Sequence, residues 1–228
     1  MALPIPGSEE GKYIIGDLGL ALLLASTLAL GFIATGYQLF PQYATPIIFT
    51  VLFGWIGLFF ATATGALAWD FRPIKTTVIF ASFVVLFMVA GLGALLSYTK
   101  PQSSVGSLLL LLPVVVTLIF FPSVGVLEEG FWRGLFMGLR KKFPGVPLPL
   151  IIAGISVGGM AYHQFVAFSL FKGTIFSSPD YFLWIGGSWA FYCLVIEYTK
   201  NFAASATTHW VWNFVITYQS LRQQGLIP

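Results

Sequence analysis

Apolar runs long enough to cross a bilayer follow one another down nearly the whole chain. They restrict the fold more than any other feature of the sequence. Seven stretches, roughly 14–36, 46–69, 76–97, 106–127, 148–171, 181–199 and 201–221, each have the ~20 residues a helix needs to cover ~30 Å of hydrocarbon. The alternating segments of ~10 residues that mark a membrane barrel are absent. Helices satisfy their own backbone polar groups, which lipid requires. The expected architecture is therefore all-α: a polytopic transmembrane helix bundle of about seven spans, with residues 1–228 as one domain. Charge agrees. Only 8% of the 228 residues are charged, against about 25% in a soluble domain, too few to clothe a soluble surface. A chain that is 57% hydrophobic is not disordered. A net charge of +3, with no basic run in a matching fold motif, argues against nucleic acid as a partner.

The linkers carry turn and charge signals: Asp70-Phe71-Arg72-Pro73, Lys100-Pro101, Arg140-Lys141-Lys142-Phe143-Pro144, Ser178-Pro179-Asp180 and the short Thr199-Lys200-Asn201. Glu9 and Glu10 stand where a signal peptide would be basic, so the first run reads as a retained span. With seven spans, Lys12, Arg72, Lys75, Arg140, Lys141, Lys142 and Lys200 share one face. The excess of basic residues there predicts a cytoplasmic amino terminus. Cys193 is the single cysteine and has no internal disulfide partner; burial is its expected role. Gly134/Gly138 and Gly154/Gly158 are spaced for close helix approach. Pro113 and Pro122 fall inside the fourth span, where proline kinks a helix.

Against this background a few polar residues stand out. Glu128 and Glu129 close an apolar run, and Arg133 follows. Two carboxylates at that depth cost several kcal/mol unless paired or protonated. On a helix, Glu129 and Arg133 are at i and i+4 in the favourable order for an ion pair. Glu128 points ~100° away with no partner on its own helix, which leaves it free to act as a general base. His163 lies in the fifth span. His209 and Asn213 lie one turn apart on one face of the seventh. Counted at ~1.5 Å per residue from the same membrane face, Glu128, His163 and His209 come to broadly similar depths, ~18, ~22 and ~13 Å. Convergence on one site is the economical expectation.

The order Glu128-Glu129-x-x-x-Arg133, then a histidine in the next span, then His209-x-x-x-Asn213 resembles the CAAX-protease and bacteriocin-processing family of intramembrane glutamate proteases. The first and third motifs match fully. The second, Phe-x-x-x-His, keeps His163 but has Gly159 in place of Phe. The resemblance covers about residues 108–221. It implies an integral membrane protein of a prokaryotic cell membrane that cleaves a peptide bond near the membrane. Glu128 with His163 would activate water. Glu129, tied to Arg133, would support the site. His209 and Asn213 would hold the oxyanion. It calls for no metal and no other cofactor. The partners it implies are membrane lipid and a peptide or membrane-protein substrate, lipidated or not.

Two other readings stay open. Two Glu and two His are ligand types that hold zinc, although His-Glu-x-x-His is absent. A membrane scaffold or assembly factor of the same fold would bind without cutting. Gly154-Ile155-Ser156-Val157-Gly158 matches the serine-nucleophile pattern, but that chemistry needs a strand-to-helix elbow. In mid-span helix the match reads as packing.

Overall fold

The computed structural model describes residues 12–35, 41–70, 105–171 and 179–223. They form six helices, numbered in chain order: α1 (Asp17–Thr35), α2 (Pro41–Ala63), α3 (Val105–Lys142), α4 (Leu148–Phe171), α5 (Pro179–Thr199) and α6 (Phe202–Gln223). The predicted all-α class holds. A short parallel pair joins β1 (Tyr13–Ile14) to β2 (Leu67–Ala68).

The helix ends follow local chemistry. α3 finishes on Arg140, Lys141 and Lys142, cations that complement the carboxyl end of the helix dipole. Phe143 precedes Pro144, which disfavours a further helical residue. At the tight α5–α6 link, Lys200 adopts a left-handed conformation (φ 55°) and returns its amide to the Ile196 carbonyl at 2.8 Å. The Asn201 side chain then accepts the Ala203 amide at 2.9 Å, an N-cap for α6. Three residues thus suffice to stop one helix and start the next.

α3 is the central helix. It packs against all five other described helices, and around it the neighbours run α2, α1, α6, α5, α4. Its polar residues are therefore enclosed, and the outer faces of the bundle are apolar. Glu129 and Arg133 are 0% exposed, whereas Leu28 is 73% and Leu183 75% exposed. That inversion suits a lipid surround, since a water-facing surface would be polar. One stripe of α3 is only partly covered: Val124, Glu128, Phe131, Leu135 and Leu139, recurring at helical spacing.

The α2–α3 contact is unusually close and glycine makes it so. A Cβ on Gly57 would lie 2.5 Å from the Gly130 carbonyl oxygen, one on Gly130 would lie 2.7 Å from that of Gly54, and one on Gly134 would overlap the Gly57 backbone. Gly138 makes room for the Phe60 ring. The Gly134/Gly138 pair does let helices approach. Of the second pair, Gly158 meets Trp132 but Gly154 faces open space. Because Gly130 follows Glu128 and Glu129 directly, this contact fixes the height of both acids.

Several expectations change. The third predicted span, 76–97, and the linkers around Arg72 and Lys100 lie outside the described residues. The fourth span is the first part of α3, which runs unbroken through Pro113 and Pro122 for 38 residues, about 57 Å at 1.5 Å per residue. The acids therefore stand within a helix and not at its end. Nor do the described residues bear out seven spans. Leu148–Phe165 alone is long and apolar enough to cross a membrane, with shorter apolar stretches at Asp17–Gly31 and Ile47–Ala63. For α6 the reason is compositional: Ser205, Thr207, Thr208, His209, Asn213 and Thr217 dilute its apolar run.

At one end of the bundle a second polar cluster ties distant segments together. Glu197 receives Lys200 at 2.9 Å, Arg140 at 3.3 Å and the Tyr13 hydroxyl. Burial, and the Glu197 carboxylate beside it, push the Tyr13 phenol well above its ordinary range. Ile14 donates its amide to the Lys200 carbonyl at 2.8 Å. Arg140 and Lys200, assigned above to the same membrane face, do share one end of the molecule.

Candidate active site

Glu129 is fully buried and held from several sides. Arg133, one turn on, brings Nε within 3.4 Å of Oε2. Ser205 of α6 donates its hydroxyl to the same oxygen. His209, one turn beyond Ser205, brings Nδ1 within 3.0 Å of Oε1. A carboxylate with a guanidinium beside it and two hydrogen bonds, from Ser205 and His209, is stable where an unpaired one would not be. Arg133 is fixed in turn by two bonds from Nη1, to the Trp189 carbonyl at 2.8 Å and to Cys193 Sγ at 3.2 Å. Its guanidinium lies 4.9 Å over the Trp189 ring, a favourable cation–π placement. The lone cysteine is thus a buried acceptor within the fold.

His209 links the two acids. Its Nδ1 faces Glu129, and its Nε2 lies 3.8 Å from Oε2 of Glu128. A carboxylate accepts hydrogen bonds, so Nδ1 carries a proton and the second nitrogen is directed at Glu128. Tyr192 stacks on the imidazole at 4.5 Å and 19°, and Trp189 meets it edge-on at 5.4 Å. Glu128 thus has a partner, supplied by α6 and not by its own helix. Its side chain is 11% exposed where that of Glu129 is 0%. It stands on the partly covered stripe of α3, so only one of the two acids can be reached.

Asn213 comes to the same place. A Cβ on Gly125 would lie 2.6 Å from Asn213 Nδ2 and 3.0 Å from His209 Cδ2. Both side chains therefore pack on the turn of α3 that precedes the acids. His163 arrives by a different route. Its Nδ1 is 2.9 Å from the Gly159 carbonyl oxygen. Because a carbonyl only accepts, Nδ1 bears the proton and Nε2 keeps the lone pair. The ring touches Tyr162 and Trp189. No hydrogen bond or ion pair joins it to Glu128 among the described residues; the imidazole that faces Glu128 is His209. Trp189 stands between the two histidines and occupies the space above Gly159, where a Cβ would overlap the indole.

Sequence reading missed three contributors. Ser205 had a signal, since Ser205, His209 and Asn213 recur every four residues along one face of α6. Trp189 and Tyr192 had none. Each is an aromatic in an apolar span, and only the packing of α5 against α4 and α6 gives it a role. Beside the site, a lateral groove of about 610 Å³ runs between α5 and α6 from Leu183 and Trp184 past Thr208 and Val211. Tyr192 lines this groove and carries His209 on its ring.

Among the described residues, no group of three or more His, Cys, Asp or Glu side chains is arranged to hold a metal ion. The donor set is also depleted, because both oxygens of Glu129 and Nδ1 of His209 are engaged with each other, Arg133 and Ser205.

Residues 108–215 match the family model for type II CAAX prenyl endopeptidase, Rce1-like. The matched segment contains Glu128, Glu129, Arg133, His163, His209 and Asn213. No curated protein and no solved structure matches the chain.

Proposed function

We propose, on the premise that this chain belongs through residues 108–215 to the Rce1-like family of CAAX endopeptidases, that it is an intramembrane, metal-independent glutamate protease. The observation that carries the mechanism is the clamping of His209 between two carboxylates, at 3.0 Å from Glu129 and 3.8 Å from Glu128. A gap of 3.8 Å is too long for a hydrogen bond, so the Glu128 carboxylate keeps its acceptor capacity for a water.

In this mechanism Glu128 takes a proton from the attacking water as the water oxygen bonds to the peptide carbonyl carbon. The carbonyl π pair moves to oxygen and gives a tetrahedral oxyanion. The Asn213 amide donates to that oxyanion, and His209 donates to it from Nε2–H in its doubly protonated form, with Nδ1–H held on Glu129. Donors fixed in a dry interior lower the barrier far more than they would in water. The C–N bond then breaks, and Glu128 returns its proton to the departing amine. His163 offers Nε2 as a second acceptor for the water. Glu129 takes no part in proton transfer. It holds His209 by Nδ1–H, and Arg133 balances its charge. The substrate is a peptide or protein whose apolar part approaches along the α5–α6 groove, and whether that part is lipid or side chain is read from the substrate itself. The amino terminus and the Arg140–Lys142 loop face the cytoplasm.

The test compares membrane proteomes of cells carrying the wild type, Glu128→Gln and His209→Ala. The expected result is one or more uncut precursors in both variants, with cleavage reduced at least ~100-fold, the usual scale for a lost acid–base group. Normal processing in both variants, with both proteins inserted at wild-type levels, would sink the reading and favour a scaffold that binds without cutting. Cleavage lost to a chelator and restored by zinc would overturn the metal-free mechanism.

A further inference from the structure

We propose that Trp189 is a positioning residue for both histidines at once, and that Gly159 must be glycine because the indole occupies its side-chain space. For its catalytic meaning this rests on the protease reading above. Its support is packing alone.

Trp189 is 1% exposed. Its ring centroid lies 5.6 Å from that of His163 and 5.4 Å from that of His209, with interplanar angles of 62° and 89°. Edge-to-face contact of this kind is directional, because the ring quadrupole attracts a positive edge to a negative face. The indole therefore orients the imidazoles as well as filling space. It is itself located from two sides. Above Gly159, a Cβ would overlap Nε1 and Cδ1. On α3, Arg133 holds the Trp189 carbonyl at 2.8 Å and lies over the ring.

Both histidines depend on these same contacts. Gly159 fixes the His163 tautomer with its carbonyl and admits the indole by lacking a side chain. Arg133 fixes the indole and also Glu129, which holds His209. The two imidazoles stand on different helices, α4 and α6, and one ring on α5 touches both. A shift of that ring moves both.

The chain has two histidines, so the full-length protein with isotope-labelled histidine, in detergent micelles, gives two sets of imidazole resonances. His163→Gln and His209→Gln assign them. Trp189→Leu is expected to shift both sets, and Trp189→Phe, which keeps a smaller ring, to return both part of the way. Gly159→Ala is expected to shift His209 as well as His163, although it is on a different helix from His209. The double variant Gly159→Ala/Trp189→Phe is expected to lie nearer the wild type than Gly159→Ala alone, since the smaller ring makes room. Unmoved His209 resonances in both Gly159→Ala and Trp189→Leu, or single effects that merely add in the double variant, would overturn the proposal. If Gly159→Ala does not fold, regained folding in the double variant supports the pairing and continued failure overturns it. Peptide cleavage is not read, so the protease reading can fail while the positioning role stands, and the reverse.

Discussion

Two adjacent glutamates share a backbone and almost nothing else. Glu129 is sealed and triply held, whereas Glu128 stands on the partly covered stripe of α3 with one imidazole 3.8 Å away. The difference follows from the ~100° step between neighbours on a helix, which turns one acid toward Arg133 and α6 and the other toward the seam. Arg133→Ala leaves the Glu129 charge buried against two remaining donors and should cost about 3–5 kcal/mol. Ser205→Ala removes one neutral donor and should cost about 1–3 kcal/mol. Thermal unfolding in detergent checks the order. Arg133→Lys should not restore stability, because one ammonium cannot make the planar, multi-donor contacts of a guanidinium. Full stability in Arg133→Lys would show that charge alone matters there.

Among the helices, the glycines of α2 and α3 do what side chains do elsewhere. Close backbone approach makes van der Waals contact along the line Gly54, Gly57, Gly130 and Gly134, the favoured way to join helices where lipid removes the hydrophobic drive. Gly57→Ala or Gly134→Ala should destabilise by about 1–3 kcal/mol, the usual penalty of overpacking. Such variants should also move the acids that precede Gly130, lowering cleavage and stability together. Gly154→Ala, with nothing near its Cβ, should be neutral in both. Equal effects at Gly134 and Gly154 would mean that the α2–α3 contact is not what holds these helices.

Across the whole molecule, the site is reached by enclosing α3. Among the described residues, five helices around one central helix place its polar stretch away from the surround and leave large apolar side chains outside. The Glu197 cluster closes one end, joining Tyr13, Arg140 and Lys200 from segments far apart in sequence. Orientation is testable with the protein's own chemistry. Cys193 is fully buried, so it gives little background to a membrane-impermeant thiol reagent. Lys142→Cys, on an exposed turn, should be labelled in inverted membrane vesicles and not in intact cells. The opposite pattern would reverse the proposed topology.

The sequence by itself determined the helical class, the ends of α4, the short α5–α6 link and the Glu129–Arg133 pair. Each depends on neighbours within about one turn or on the sheer lack of charge. It also brought out Glu128, His163, His209 and Asn213, because a polar group in an apolar run is conspicuous wherever it stands. What it did not hold was who faces whom. That His209 bridges both acids, that Ser205 completes the cradle, that Trp189 fills the place above Gly159 and that Glu197 binds the chain's beginning to its last helices were decided by tertiary packing. Such contacts join residues up to 184 positions apart. The rotation of one helix against another, which chooses among them, is fixed by how whole surfaces fit and leaves no mark in the local pattern.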